Sequence, residues 1–254
     1  MNSSATSPLS PKNSVKILAH RGLVSEFVPE NTLKAFADAI DAGADVIETD
    51  VQATSDGVAV IFHDENLLRL TGINKKISQV TWAELQGIDI GFGKRVIDLE
   101  QALLAFPQTK FNLDIKSDAA LIPTVSVIEK LNAHSRVLIS SFSEKRRLRA
   151  IKLLTAPVQT SAGVTKVLKL LVCSLLGSQK LFNKFAFGSS ALQVPTHRGP
   201  IRLDSPRFMK MAKSCGLEVH FWTINNSAEM LRLASLGTTG IVTDHCDDAV
   251  ATLR

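Results

Sequence analysis

Short runs rich in β-branched residues alternate along this chain with segments of helical periodicity, and many of the runs end in polar residues. This alternation is typical of repeated βα units, whose strands form a largely parallel sheet covered by helices. The clearest helix is predicted over residues 31–42, with shorter ones near 81–85, 99–105 and 227–236. The candidate strands are residues 15–20, 45–51, 58–63, 111–116, 136–141, 158–161, 191–194, 218–224 and 240–243.

The number of candidate strands exceeds by one the eight that a closed βα barrel requires. Segments 158–161 and 191–194 lack a clear helix on both sides, so we expect one of these two to be irregular. A length of 254 residues with 45% apolar residues suits one hydrophobic core. We therefore predict an α/β fold, a single-domain (β/α)8 TIM barrel in residues 15–254. The Ser-, Pro- and Asn-rich residues 1–14 are predicted to form a disordered tail.

Charge and cysteine content narrow the class of partner. The net charge of +5 favours anionic ligands but is too small to indicate a nucleic-acid partner. The three cysteines, Cys173, Cys215 and Cys246, are odd in number and far apart, so neither a disulfide framework nor a zinc cluster is indicated. The sequence contains no secretory signal pattern and no apolar run of about twenty residues. These features predict a cytoplasmic protein, soluble or peripheral to a membrane, and leave the oligomeric state open.

Polar residues cluster where the predicted strands end. In a βα barrel the carboxyl ends of all strands face one rim, so residues far apart in sequence converge there. Glu48 and Asp50 lie two apart on one strand and therefore point to the same face, as do Asp114 and Lys116 on another. The remaining candidates are His20, Arg21 and His63.

These residue types suit a site that binds a cation and a phosphodiester and transfers protons. Three carboxylates, Glu48, Asp50 and Asp114, offer the oxygen ligands that a hard divalent cation such as Mg²⁺ or Ca²⁺ prefers. Basic side chains at Arg21 and Lys116 can neutralise a phosphate, and two histidines, His20 and His63, can transfer protons at neutral pH.

The order of motifs along the chain resembles the glycerophosphodiester phosphodiesterase family from about residue 15 to 247. The motifs are His-Arg-Gly, Pro-Glu-Asn-Thr, Glu-Thr-Asp, His-Asp, an acidic residue two before Lys, Trp-Thr-Ile-Asn and Thr-Asp. The resemblance implies that the chain splits a glycerophosphodiester into sn-glycerol 3-phosphate and an alcohol. Whether water or a substrate hydroxyl attacks first stays open.

Residue roles follow from the same resemblance. It implies that His20 and His63 are the acid and base pair, and that Arg21 and Lys116 bind the phosphate. The metal ligands that it implies are Glu48, Asp50 and Asp114.

Two features depart from the family pattern. The family more usually has Glu where this chain has Asp114, so the metal is bound either through water or with the backbone closer. Many relatives also carry a longer insertion near the second and third strand segments, where this chain has only the short turn 53–57. Residues 67–93 are the only substantial excursion before the fourth strand segment, and a small lid would leave the site open to bulky head groups.

Several residues in or near these motifs can be explained by a structural role as well as by a functional one. Trp222 is equally a wall of the substrate pocket or a core aromatic side chain. Asn31 is expected to cap a helix, and Glu30 and Asn31 together are expected to shape the loop after the first strand. Asp64 is expected to orient neighbouring backbone, and the resemblance implies structural support for Asp244. A second His-Arg-Gly at residues 197–199 is interpreted as a loop.

Two alternatives to the leading function remain. A lysophospholipase-D-like enzyme would act on substrates that retain an acyl chain, and a non-catalytic barrel would only bind phosphodiesters. The apolar stripe and lysines of residues 164–187 are also typical of a helix that rests on an anionic membrane surface. An ordinary barrel helix whose stripe packs on the sheet is the favoured interpretation of that segment.

Overall fold

The computed structural model describes residues 15–254, so the predicted tail in residues 1–14 lies outside the described part of the chain. The strands within residues 15–254 are β1 Lys16–His20, β2 Val46–Ala53, β3 Ala59–Ile61, β4 Lys110–Ile115, β5 Val137–Ser140, β6 Gln159–Thr160, β7 Ala191–Val194, β8 His197–Arg198, β9 Ile201–Arg202, β10 Glu218–Phe221 and β11 Gly240–Thr243. Eight of them form a parallel ring in the order β6-β5-β4-β2-β1-β11-β10-β7.

The ring closes between β6 and β7. Ser161 and Ala191 form a parallel bridge, and the backbone N–H of Ala162 donates to the carbonyl of Ala191 at 2.9 Å. The predicted (β/α)8 barrel is therefore confirmed, and both segments suspected of irregularity belong to it.

The surplus strand is β3, so the expectation that it would be 158–161 or 191–194 is wrong. β3 pairs antiparallel with β2, outside the ring, with Ala53 opposite Ala59. The connection between these two residues is a tight turn, whereas a parallel strand needs a crossover of a dozen or more residues. The chain must therefore fold back on β2 at this point, and the crossover to the next barrel strand follows later.

The helices surround the ring. Their bounds are α1 Leu33–Asp41, α2 Leu68–Thr71, α3 Trp82–Gln86, α4 Leu99–Ala105, α5 Leu121–Lys130, α6 Glu144–Leu153, α7 Val164–Leu175, α8 Gln179–Ala186, α9 Pro206–Ser214, α10 Ser227–Ser235 and α11 Cys246–Leu253, with 3-10 turns at Ile77–Gln79 and Ala133–Arg136. Across residues 15–254, none of these helices has the length and apolar character needed to span a bilayer.

The start of α1 corrects one expectation. Thr32, not Asn31, caps the helix, because its hydroxyl accepts from the backbone N–H of Ala35 at 3.2 Å. Asn31 has a positive φ of 59° and accepts a hydrogen bond from the Thr49 hydroxyl at 2.7 Å. It therefore ties the loop after β1 to β2, which is the loop-shaping role predicted for it.

Alternation along β2 separates structure from chemistry. The strand is buried along its whole length. Ile47 and Val51 point outward into the large apolar core between sheet and helices, whereas Glu48 and Asp50 point into the barrel. Below them, the interior is filled by the apolar cluster of Leu18, Val46 and Val242.

The excursion after β3 is a compact extension of the barrel. It has a small core of its own, formed by Val60, Phe62, Leu67, Ile77, Val80, Leu85, Ile90 and Val96. This core supports the segment that carries His63 and Asp64 at the rim.

Gly22 holds the loop that follows β1 against α1. Its φ is +87°, and a Cβ at this position would lie 2.7 Å from the carbonyl carbon and oxygen of Ala35. The preceding residue, Arg21, is fixed by a hydrogen bond from its N–H to the Glu48 carbonyl at 2.8 Å. The close approach at Gly22 thus positions His20 and Arg21 over the barrel.

We predict that Gly22→Ala lowers the free energy of unfolding more than Gly57→Ala does. Both glycines have positive φ, +87° and +80°, so each alanine incurs about 1–2 kcal/mol of left-handed backbone cost. Only Gly22 meets the backbone of Ala35, which adds about 1–3 kcal/mol of overpacking. Urea denaturation of both variants measures the difference, and equal losses would contradict the steric role of Gly22.

Candidate active site

The predicted site residues meet in one cavity of about 540 Å³ at the carboxyl rim of the barrel. Its lining includes the eight side chains predicted for the site: His20, Arg21, Glu48, Asp50, His63, Asp114, Lys116 and Trp222. A larger cavity of about 1290 Å³ lies at the amino end, beside Lys16 and Glu218, and contains none of these residues. The chemistry is therefore concentrated at the rim where barrel enzymes place it.

Three buried carboxylates form the floor of the site. In the parallel register Asp50 lies opposite Asp114, and Glu48 lies opposite Asn112. One oxygen of each carboxylate is buried without a hydrogen-bond partner: Oε2 of Glu48, Oδ2 of Asp50 and Oδ1 of Asp114. The guanidinium of Arg21 lies beside Oδ2 of Asp50, with Nε at 3.2 Å, so the buried oxygens of Glu48 and Asp114 are the ones that favour a further positive group.

Burial changes the protonation of these carboxyls. It raises the pKa of Glu48 to about 8, and the charge of Asp50 acts in the same direction while His20 opposes it. Burial also raises the pKa of Asp114, against the opposing charge of Lys116. Asp50 behaves differently, because Lys116 and Arg21 outweigh its burial and hold its pKa below the usual value.

Two basic side chains face the carboxylates. The Nζ atom of Lys116 lies 2.8 Å from Oδ1 of Asp50 and 2.7 Å from Oδ2 of Asp114. Burial acts to lower the pKa of Lys116, but these two charges outweigh it and raise the pKa above the usual value. Nε of Arg21 lies 3.2 Å from Oδ2 of Asp50, and its Nη1 lies 3.2 Å from Glu30.

Each histidine is bound through Nδ1 to a carboxylate. Nδ1 of His20 lies 2.6 Å from Oδ1 of Asp244, and Nδ1 of His63 lies 2.6 Å from Oδ1 of Asp64. A carboxylate accepts a hydrogen bond, so Nδ1–H donates and Nε2 is left for the substrate side. Nε2 of His20 lies 3.9 Å from Oε2 of Glu48.

The pKa of His20 reflects this arrangement. Burial acts to lower it, but the hydrogen bond to Asp244 and the charge of Glu48 outweigh burial and raise the pKa above 6.5. The ring is therefore stabilised in its protonated form.

Both orienting carboxylates are held in turn by other side chains. Asn225 donates to Oδ2 of Asp244 at 2.7 Å. Nε of Arg69, from α2, lies 2.5 Å from Oδ2 of Asp64, and its Nη2 lies 2.6 Å from Glu30. These contacts restrict the rotation of both imidazoles.

Sequence reasoning missed the contacts of Asp244 and Asp64 with the histidines. Asp64 was expected only to support its neighbourhood, although its position next to His63 was a signal for this contact. Asp244 follows the last strand, which lies beside β1 in the ring, so only closure of the barrel brings it to His20. Its proximity could not be read from spacing along the chain.

Aromatic side chains form one wall of the cavity. Trp222 packs against the apolar cluster inside the barrel and also lines the cavity, and its contact with substrate stays a prediction. Phe142, which the sequence did not single out, lies edge-on to Trp222 with ring centroids 6.0 Å apart. Lys116 Nζ lies 5.6 Å from the centroid of the Phe142 ring, which restricts that ammonium further.

The second His-Arg-Gly forms a short hairpin, β8–β9, at the edge of the cavity. The interpretation of residues 197–199 as a loop is therefore wrong for His197 and Arg198, which form strand β8, and only Gly199 lies in the turn. Arg198 lines the cavity, which adds a basic side chain that the sequence did not predict for the site.

The donor set suits a hard divalent cation by its chemistry. Glu48, Asp50 and Asp114 each present a buried oxygen that makes no hydrogen bond, and oxygen ligands are those that Mg²⁺ and Ca²⁺ prefer. In residues 15–254, however, no three His, Cys, Asp or Glu side chains are grouped so that they could hold a metal ion. The ammonium of Lys116 lies beside two of the three carboxylates instead.

Chemistry-bearing side chains at the carboxyl ends of separate strands are how (β/α)8 enzymes build an active site, so fold and site define this chain as a barrel enzyme. The profile of the "Glycerophosphoryl diester phosphodiesterase family" matches residues 20–248, and the chain belongs to that family. The family and the enzyme class that the motif order implied are thereby confirmed.

The chain is also similar to individual proteins whose names specify a phosphodiesterase or a lysophospholipase D activity. The chain is 39% identical to a "Probable glycerophosphodiester phosphodiesterase 2" of Mycobacterium tuberculosis, over 91% of this chain and 87% of the relative. It is 28% identical to a human lysophospholipase D, over 91% of this chain and 83% of the relative. The fold is similar to that of an Oleispira antarctica phosphodiesterase solved with the product sn-glycerol-3-phosphate, with a TM-score of 0.77, 22% identity and coverage of 94% and 96%.

Proposed function

We propose that this protein hydrolyses glycerophosphodiesters to sn-glycerol 3-phosphate and an alcohol, with His20 and His63 as the acid and base. The observation that carries the proposal is the pair of histidines in one cavity, each bound through Nδ1 to a carboxylate. The product named for the Oleispira antarctica structure and the name of the mycobacterial relative support this substrate class.

Proton transfer follows from the ring geometry. One imidazole takes a proton from the attacking hydroxyl as the new P–O bond forms, and the other gives a proton to the oxygen that leaves as the P–O bond to the alcohol breaks. Asp244 and Asp64 stabilise each ring while it carries the additional proton. The attacking hydroxyl belongs either to water or to the glycerol moiety.

Arg21 and Lys116 are proposed to bind the phosphate. Both lie beside Asp50, which holds their charges at the floor of the cavity. A phosphodiester that enters the cavity would share these cations with the carboxylates. Arg198, at the edge of the cavity, adds positive charge to the path of entry.

Glu48, Asp50 and Asp114 are proposed to hold one Mg²⁺ or Ca²⁺ ion. Oε2 of Glu48 and Oδ1 of Asp114, which are buried without a hydrogen-bond partner, support this assignment, and burial together with the charge of Asp50 raises the pKa of Glu48 to about 8. When bound, such an ion neutralises negative charge on the phosphoryl group. The shorter Asp114 is compatible with this role because it lies directly opposite Asp50.

We expect His20→Ala and His63→Ala each to lower kcat by about a hundredfold to ten-thousandfold, because acid–base catalysis typically contributes that much. KM should change far less, since neither ring is the main phosphate ligand. Release of glycerol 3-phosphate from glycerophosphocholine measures both constants. His134→Ala, remote from the cavity, is the matched control, and near-normal turnover in either test variant would exclude the two-histidine mechanism.

Asp244→Asn tests the orienting contact. An amide can still hydrogen-bond to the ring but cannot stabilise its positive charge, so we expect kcat to fall roughly tenfold or more. KM and the thermal melting temperature should stay near those of the wild type, because Asp244 is half-exposed and does not line the cavity. A parallel rise in KM, or a loss of melting temperature, would indicate a structural role instead.

Removal of divalent cations by excess chelator should abolish turnover, and Mg²⁺ or Ca²⁺ should restore it. Asp114→Glu should shift metal affinity or preference more than it shifts the pH dependence, because the added methylene moves the carboxylate toward the ion. Isothermal titration of the metal, without substrate, gives a readout that does not depend on activity. An unchanged titration would place Asp114 outside the ligand set.

A lysophospholipase D activity is the second candidate. Phe142, Leu168, Leu171 and Trp222 form an apolar side of the cavity that could accept an acyl chain, and the human relative bears this name. Release of choline from lysophosphatidylcholine, compared with glycerophosphocholine, separates the two activities. Tight binding of a substrate without turnover of either compound would indicate the non-catalytic alternative.

The cytoplasmic location that the sequence suggests stays a prediction.

A further inference from the structure

Helix α7 exposes an apolar stripe on the side opposite its core contacts. Val167, Leu170 and Leu171 are buried, as the predicted barrel-helix interpretation requires. The other face carries Leu168, Val172, Leu175 and Leu176, whose spacing places them on one side of the helix. Leu175 and Leu176 are 61% and 71% exposed, where a barrel helix normally presents polar side chains.

Helix α8 and the residue after it expose further apolar side chains beside α7. α8 lies against α7, with Leu181 exposed and Phe187 88% exposed. The Lys166 ammonium donates to the Phe187 carbonyl at 2.7 Å, which holds Phe187 beside the first turn of α7. We call Val172, Leu175, Leu176, Leu181 and Phe187 the apolar ridge.

The apolar ridge is continuous with the active-site mouth. Val164, Val167, Leu168 and Leu171 of the same helix line the cavity that holds the two histidines. At its other end, the Leu175 carbonyl accepts from Arg207 at the start of α9, the helix that follows the β8–β9 hairpin at the cavity edge. α7 therefore runs along the rim, and its exposed face adjoins the entrance.

The charge around the apolar ridge is strongly positive. Residues 145–203 contain eleven of the chain's 29 Lys and Arg and none of its 24 Asp and Glu. The rest of the chain, with 18 basic and 24 acidic residues, carries a net charge of −6. Lys166, Lys169, Lys180 and Lys184 lie on the two helices of the ridge itself.

We propose that the apolar ridge and its lysines dock the active-site mouth onto an anionic lipid bilayer. Exposed apolar side chains among basic ones are the pattern by which an amphipathic helix rests in the headgroup region. The ridge side chains insert between headgroups while the lysines meet lipid phosphates. Docking to the bilayer does not require the proposed function. Its benefit to the enzyme rests on that function, because lipid-derived diesters would then enter the cavity directly from the membrane surface.

Other occupants fit this charge less well. A second copy packed about a two-fold axis would place two basic ridges against each other, and like charges facing across an interface oppose association. Residues 1–14 are mostly Ser, Pro and Asn with few apolar side chains and a basic Lys12, so they offer neither apolar area nor negative charge. An anionic surface complements both the apolar and the basic parts of the ridge.

Sedimentation with vesicles tests the proposal on the full chain. We expect binding to equimolar phosphatidylglycerol/phosphatidylcholine vesicles at least tenfold tighter than to phosphatidylcholine alone, and weaker in high salt. The double variant Leu175→Ser/Leu176→Ser should bind the anionic vesicles at least tenfold more weakly. Lys180→Gln/Lys184→Gln should reduce binding in the same direction.

Leu104→Ser/Ile122→Ser is the matched control, because these side chains are 58% and 54% exposed on α4 and α5, away from the ridge. It should bind vesicles like the wild type. Turnover of soluble glycerophosphocholine should be unchanged in all these variants, since none of the altered residues lines the cavity. If the wild type does not turn over glycerophosphocholine, that result contradicts the proposed function. The vesicle sedimentation still tests the docking proposal, because it does not depend on turnover.

Three results would overturn the docking proposal. They are no sedimentation of the wild type at low salt, an equal loss of binding in the control variant, and a ridge variant that binds like the wild type. A lipid-free dimer that only the ridge variant abolishes, seen by analytical ultracentrifugation, would assign the ridge to self-association instead.

Discussion

The contact of Lys116 with Asp50 and Asp114 is the interaction on which the rest of the site depends. It places one ammonium within 2.8 Å of two carboxylates that are almost fully buried. Removing one partner from such a group leaves an uncompensated buried charge, which costs about 3–5 kcal/mol. The strand ends that carry these residues are therefore held in register by the charges as well as by the sheet hydrogen bonds.

The charges inside the barrel are nevertheless not fully balanced. Oε2 of Glu48 and Oδ1 of Asp114 are buried without a hydrogen-bond partner, and the pKa of Glu48 is raised to about 8 by burial and by Asp50. A site of this kind has a strong preference for an additional positive group. The same unpaired oxygens that destabilise the folded chain thus prepare it to bind a cation and a phosphate.

Side chains around the cavity hold the two histidines in a fixed orientation. Asn225 holds Asp244, and Arg69 holds Asp64 and Glu30, so each histidine is fixed by a carboxylate that is itself fixed. Arg69 belongs to the excursion after β3, which explains why that segment keeps a small core of its own. Helix α7 lines the cavity with apolar side chains instead of polar ones, and its exposed face joins the cavity entrance to the apolar ridge.

The sequence by itself predicted the barrel and the eight residues that line one cavity at its carboxyl rim. Alternating patterns reveal βα units, and residues two apart on a strand must share a face, so the convergence of Glu48, Asp50, Asp114 and Lys116 follows from local periodicity. The same local reasoning failed for β3, because the pattern of a strand does not record its direction. Only the short turn after Ala53 decided that it pairs antiparallel.

Tertiary structure alone decided which residues touch across the closed ring. Asp244 meets His20 from the far end of the chain because β11 pairs with β1, and Phe142 meets Lys116 and Trp222 across the mouth. It also decided that one apolar face of α7 packs inward while Leu168, Val172, Leu175 and Leu176 face out. Helical spacing shows that a stripe exists, but the face that the barrel covers depends on how the whole helix is placed.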